Sequence, residues 1–275
     1  MIRINMTGIS AASRDLSVTA NNLANARTTG FKRSMAQFVE TRSESMDARP
    51  GTEAGGGTRV GEVTRTLQQG SLDNTDKALD LAVNGGGYFV YGDPKAQGGA
   101  EQAFTYSRAG ILTVSPNGTL TDPNGAPLLG LPALSTGGSG GNPQPINLTA
   151  AAGGNLSAVQ SIGVNARGMI SLQMADGRNV KVAAVALASF RNEAGLKQVG
   201  GSALTETENS GPPEFSPASY NGMGEIKQGA LEGANVDLTN EMLHMIQAQQ
   251  AYNGNARAMQ TSSEMLRSAI ETLAK

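Results

Sequence analysis

Three aspartates, Asp73, Asp76 and Asp80, lie close enough along the chain to suggest a calcium loop or the acids of a hydrolase. Their spacing does not follow the D-x-[DN]-x-[DN]-G order that wraps oxygens around Ca2+. Aspartates in such a run also serve as turn formers, because the short carboxylate bonds nearby backbone amides. The sole histidine, His244, is a lone imidazole inside a helical pattern and reads as a structural or surface residue. The glycine runs Gly55 to Gly57 and Gly85 to Gly87 lack the Lys-Ser/Thr of a phosphate loop and the strand-to-helix setting of a dinucleotide site. They read as places where backbones approach closely. With one His and no Cys, neither a nucleophile elbow, nor a zinc-protease helix, nor a Ser/His/Asp set can be assembled. The expectation is a non-enzyme with no catalytic residue, metal site or cofactor.

The elements that carry these residues say more than the residues do. The 275-residue chain has a formal net charge of -2, so no global field attracts nucleic acid. Aromatics are only 4% and Gly reaches 36 residues, leaving few large anchors for an isolated core. Part of the stability is expected from neighbours. The opening MIRINMTGIS carries no apolar run of the signal-peptide kind, and no stretch approaches the roughly 18 apolar residues of a membrane span. The reading is a soluble chain without membrane insertion which, if exported, uses no cleaved signal.

Both ends have helical periodicity. Ile2, Ile9, Leu16 and Leu23 recur every seven residues, with Met6 and Ala20 beside them. That helix should end at Asn21, Asn22 and Asn25, since Asn competes for backbone hydrogen bonds and tolerates left-handed geometry. A turn at Gly30 and an apolar anchor at Phe31 then follow. From Leu238 onward two lines alternate: Met245, Tyr252, Met259, Leu266 and Leu273, and Met242, Gln249, Ala256, Ser263 and Ile270. Only Gly254 weakens this helix, by about 1 kcal/mol relative to Ala. Between the ends the period changes to two. Thr58 to Thr66, Ala78 to Tyr91, Phe104 to Val114, Ile170 to Met174 and Val180 to Ala188 read as strands, and Asn117-Gly118, Asn124-Gly125 and Asp176-Gly177 as hairpin turns. Arg42 to Gly57, Ser135 to Gly154 and Asn209 to Gly224 read as linkers or loops. The fold class is α+β: N- and C-terminal helices with coiled-coil seams and a mainly β middle region. The expected boundaries are 1–30 with 232–275 for the helical domain, 31–70 for a connecting segment and 71–231 for a β-rich domain.

Ordered blocks then carry a resemblance. VTANNLANARTTGFKR (residues 18–33), QGSL (69–72), LDLAVNG (79–85) with YFV (88–90), YSRAG (106–110), GALEGANVDL (229–238) and MIQAQQAY (245–252) together resemble the bacterial flagellar rod and hook axial proteins. The resemblance implies that the terminal helices form a coiled-coil inner domain with the β-rich domain outside it, in a structural subunit that stacks on copies of itself into a helical tube and transmits torque from motor to filament. It implies neighbouring rod, hook or junction proteins as partners, passage through the flagellar type III export apparatus, and a place in the hook or basal body, periplasmic or extracellular. Ile9, Leu16, Asn21, Asn22, Leu23, Asn25, Gly30, Phe31, Asn235, Met245, Gln249, Tyr252, Met259 and Leu266 are the expected assembly residues. A short hook-type subunit is the first expectation, because Phe190 to Leu196 and Asn235 to Leu238 look most like hook proteins. A distal or proximal rod protein is the alternative. Two readings from other classes stay open: a cell-wall hydrolase using Asp73, Asp76 and Asp80, and a secreted adhesin-like coiled-coil protein.

Overall fold

The computed structural model describes residues 2–41, 55–92, 104–132, 142–154 and 158–273. Contacts divide the chain into two units: a helical unit of Met1–Ala26, Arg33–Thr66 and Val236–Lys275, and a β unit of Arg27–Lys32 with Leu67–Asn235. The fold is α+β, with helices at both ends and a mainly β middle.

In the helical unit, the first helix runs Ile2–Ala24 and ends among the asparagines; the last runs Leu238–Leu273 without a break at Gly254. Asp237 starts the long helix, its Oδ1 accepting from the Thr239 and Asn240 amides at 2.8 and 3.2 Å. Residues 31–70, expected as a connector, contain an antiparallel ribbon. Ser34–Glu40 pairs with Thr58–Arg65, with a register shift between Gln37 and Phe38. The rest of the expected linker, 42–54, lies outside the described residues.

The β unit is built on a ten-stranded sheet whose long strand, Asn179–Ser189, pairs with Met169–Met174, Glu214–Pro217, Tyr88–Gly92 and Leu129–Pro132. Both faces of its centre are covered. Phe89, Tyr91, Val185 and Leu187 enter one apolar cluster, while Tyr88, Val90, Ala186 and Ala188 enter the other. A strand buried on both sides needs no polar alternation, which is why these runs are continuously apolar. The expected hairpin at Asp176-Gly177 joins Met169–Met174 to Asn179–Ser189, and Gly177 takes a φ of 82°.

Two expected loops are more ordered than the sequence suggested. Within Ser135 to Gly154 lie a short strand, Gln144–Pro145, and a helical turn, Leu148–Ala151, whose N-cap Asn147 accepts from the Ala150 amide at 3.0 Å. Ile146 and Leu148 are fully buried there. Asn209 to Gly224 contributes the strand Glu214–Pro217. Their polar, glycine-rich composition concealed single apolar residues whose partners are distant in sequence.

Candidate functional site

The helices of the helical unit pack antiparallel. Asn5 Nδ2 donates to Ser262 Oγ at 3.4 Å toward one end, and Asn22 Nδ2 donates to Glu241 Oε2 at 3.3 Å toward the other. A Cβ on Gly8 would stand 2.7 Å from Asn255 Oδ1, so a larger residue there would have to displace the Asn255 side chain. On the long helix the inward line Met245, Tyr252 and Met259 was expected, and Met245 and Met259 are half-buried. The second line differs by one residue. Glu241 and Ala248 are buried and Asn255 and Ser262 half-buried; of the expected line, Ala256 is half-buried, whereas Met242, Gln249, Ser263 and Ile270 are exposed. Small and polar side chains that meet specific partners select this line; counting apolar residues favours its neighbour.

One polar cluster sits where the first helix ends. Asn22 Oδ1 accepts from the Ser34 amide at 2.9 Å, and its Nδ2 donates to the Ser34 carbonyl at 2.7 Å. The side-chain amide thus satisfies both backbone groups of the first residue of the ribbon. Glu241, buried to 1% exposure, accepts from Asn22 and from Arg33 Nε. Nearby, burial holds the Asp15 carboxyl above the usual aspartate range; His244 opposes this shift and Glu241 adds to it.

A second cluster lies wholly in the β unit. Glu232 is 0% exposed, and its Oε1 accepts from Lys32 Nζ at 2.6 Å and from the Gly70 amide at 3.1 Å. Its Oε2 accepts from Arg108 Nη1 at 3.4 Å, and its backbone carbonyl accepts from the Gly30 amide at 2.8 Å. Arg108 also donates to the Gly85 carbonyl at 2.8 Å and stands 5.0 Å from the centroid of the Tyr88 ring. Burial lowers the Lys32 pKa, against the hydrogen bond and charge of Glu232. Gly30 has a φ of 68°, and a Cβ there would lie 2.6 Å from the Ala109 amide nitrogen. Asn235 donates its amide to the Phe31 carbonyl at 3.3 Å and its Nδ2 to the Gln68 carbonyl at 2.8 Å. Segments around residues 30, 70, 108 and 232 are therefore tied together through one carboxylate.

Of the expected assembly residues, Asn22, Gly30 and Phe31 are buried, and Ile9, Leu16, Leu23, Asn25, Asn235, Met245 and Met259 are half-buried. Asn21, Gln249, Tyr252 and Leu266 are exposed. Sequence reasoning did not single out Lys32, Arg33, Arg108, Glu232 or Glu241, since charged residues are ordinarily read as solvated. Four of these lie inside the blocks that carry the family resemblance. Among the candidate acids, Asp73 is exposed on a strand paired with Ala230–Glu232, Asp76 holds a φ of 56° in the loop after that strand, and Asp80 is buried. Among the described residues, no group of three or more His, Cys, Asp or Glu could hold a metal ion, and no helix is long and apolar enough to cross a membrane.

Two segments of the chain, one at each end, match known family signatures. Residues 2–32 match the family described as flagella basal body rod protein, and residues 227–272 the family described as flagellar basal body rod FlgEFG protein C-terminal. The chain belongs to the family of flagellar basal-body rod proteins. It is 32% identical to the flagellar basal-body rod protein FlgG of Buchnera aphidicola subsp. Baizongia pistaciae, over 94% of each chain. It is 30% identical to FlgG of Bacillus subtilis over 98% of each chain. To FlgF of Caulobacter vibrioides it is 32% identical, over 95% of this chain and 93% of that one. The flagellar hook protein FlgE2 of Helicobacter pylori aligns at 16% identity with a TM-score of 0.24, over 72% of this chain and 56% of that one, too remote to inform the fold. These relatives do not support the hook-type expectation, and its alternative, a rod protein, fits them better. Asn235 to Leu238, which suggested a hook, falls within a family signature whose description spans FlgE, FlgF and FlgG, so that segment does not separate them.

Proposed function

We propose that the chain is a structural subunit of the flagellar rod, of the distal FlgG kind, that polymerises with copies of itself through its terminal helices and carries torque mechanically. The observation that supports this most is the apolar exposure of the long helix. Of its 36 residues only Glu241 and Ala248 are buried, and Leu243, Ile246, Leu266 and Ile270 are each at least half exposed. Isolated soluble proteins rarely leave so many large apolar side chains uncovered, and a repeated heterologous contact would cover them along a filament. Partners in this reading are other copies, the rod proteins on either side and the flagellar export apparatus, and the location is the basal body outside the cytoplasm. The test is electron microscopy of hook-basal bodies from a strain lacking the gene and from one carrying Leu266→Asp. Loss of the distal rod in both is expected. Normal hook-basal bodies and normal motility in the Leu266→Asp strain would refute the reading.

A further inference from the structure

Lys32 and Glu232 stand near the points where the chain first enters and last leaves the β unit, which comprises Arg27–Lys32 and Leu67–Asn235. Their side chains meet at 2.6 Å, Nζ to Oε1, and are 8% and 0% exposed. Among the described residues Lys32 is the one lysine held in an ion pair; the other cations so held are arginines, whose guanidinium stays protonated and offers no free amine. The surroundings of the pair are those of a condensation site. Burial shields both side chains from bulk water, so the reverse hydrolysis lacks its reagent. Burial also lowers the Lys32 pKa, which makes the ammonium readier to pass a proton to the carboxylate oxygen it already touches. Arg108 Nη1 lies 3.4 Å from the second oxygen, Oε2, where it would meet negative charge developing there. The Gly70 amide holds Oε1 at 3.1 Å, and the Gln68 carbonyl holds Nζ at 2.8 Å.

We infer that Lys32 and Glu232 condense, after folding, into an intrachain amide that staples the first entry of the β unit to its last exit. The ammonium passes one proton to Oε1, leaving a neutral amine beside a neutral acid. The Nζ lone pair then attacks Cδ, and Oε2 takes the negative charge opposite Arg108. A second proton moves from Nζ to Oε1, the Cδ–Oε1 bond breaks, and Oε1 leaves as water carrying both protons. Nζ keeps one hydrogen for the Gln68 carbonyl, and Oε2 becomes the amide oxygen. Arg108 keeps the Gly85 carbonyl and the Tyr88 ring. No outside acid, base or oxidant enters, and the fold supplies the proximity that a slow condensation needs. The ion pair is the starting form of the folded chain, and the amide accumulates on standing. Tension applied to the first and last helices would then run through the staple and bypass the residues between 32 and 232, because both helices lie outside that closed loop. The chemistry does not depend on the assembly reading above.

The experiment is intact mass spectrometry of the full-length chain, freshly refolded from urea and then left to stand at neutral pH. The fresh chain should have its full sequence mass, and the standing chain should lose one water. Peptide mapping should find a branched peptide joining the segments around residues 32 and 232. A sample kept in urea should lose nothing between these segments, because the pair is then apart. Lys32→Arg keeps the charge without a free amine, and after refolding it should hold its full mass. A folded wild type that keeps its full mass would overturn the inference, whatever the variant does. Equal water loss in Lys32→Arg would overturn it too. So would a water lost only at Asp176-Gly177 as a cyclic imide, which hydroxylamine cleaves and a side-chain amide resists.

Discussion

Asn22 meets Ser34 as a neighbouring strand would: its side-chain amide accepts from the Ser34 N–H and donates to the Ser34 C=O. Only a primary amide can do both from one short side chain, and the second hydrogen on the same nitrogen reaches Glu241. One residue therefore ties the last turn of the first helix to the start of the ribbon and supports a buried carboxylate.

Asn22→Asp separates these roles. The Ser34 amide keeps an acceptor, but the Ser34 carbonyl and Glu241 would then face a second carboxylate instead of a donor. Unpaired buried charge of this kind costs about 3–5 kcal/mol, whereas Asn22→Ala loses three hydrogen bonds, leaving groups unpaired at about 1–3 kcal/mol. Urea denaturation of the full chain, followed by helical circular dichroism, should rank wild type above Asn22→Ala above Asn22→Asp. The reverse order of the two variants would mean that Glu241 does not need the Asn22 donor.

Glu232 gathers two cations and two backbone amides, so it should matter more than either cation alone. Glu232→Gln keeps the size but leaves Lys32 and Arg108 buried without a counter-charge, at about 3–5 kcal/mol. Lys32→Met should cost clearly less. Burial already disfavours the Lys32 charge, and Glu232 would keep Arg108 and the Gly70 amide. Thermal unfolding of the two variants decides the order, and equal losses would show that the ion pairs are not what Glu232 contributes.

Much of this architecture is legible because it is local. Helix limits, the Asp176-Gly177 hairpin and the doubly buried run at residues 88–91 follow from periodicity and turn chemistry within a dozen residues. What escaped depends on partners far away. Lys32 and Glu232 are 200 residues apart, and Arg33 and Glu241 are 208 apart. No pattern in either neighbourhood announces that its charge is buried. The inward line of the long helix was displaced by one residue for the same reason. Its members Glu241 and Ser262 are held by Asn22, Arg33 and Asn5, and are not ranked by hydrophobicity.

Gly30 can be tested against a glycine with the same conformation and open surroundings. Gly125 has a φ of 86° with nothing within 4 Å of where a methyl would stand, so Gly125→Ala should cost only the left-handed penalty of about 1–2 kcal/mol. Gly30→Ala carries that penalty and also drives a methyl into the Ala109 backbone, displacing the Gly30 amide from the Glu232 carbonyl. Its unfolding midpoint should fall well below that of Gly125→Ala. Similar midpoints would place the importance of Gly30 in its φ alone.

Asp15 yields a pH dependence with a definite sign. Burial is the larger cause of its raised pKa; the carboxylate of Glu241 adds to it, His244 opposes it, and Arg33 is already paired with Glu241. The folded chain thus holds the Asp15 proton up to a higher pH than the unfolded chain does. The stability linked to that proton is fully present below the unfolded value of 3.8 and is lost as pH rises through the raised folded value. At neutral pH the ionised group is a liability compared with a neutral side chain of the same shape. Asp15→Asn should therefore have a urea midpoint above that of wild type at pH 7, and the difference should close as pH falls toward 3.8. A variant less stable than wild type at pH 7 would mean that attraction to His244 outweighs burial, and would reverse the sign.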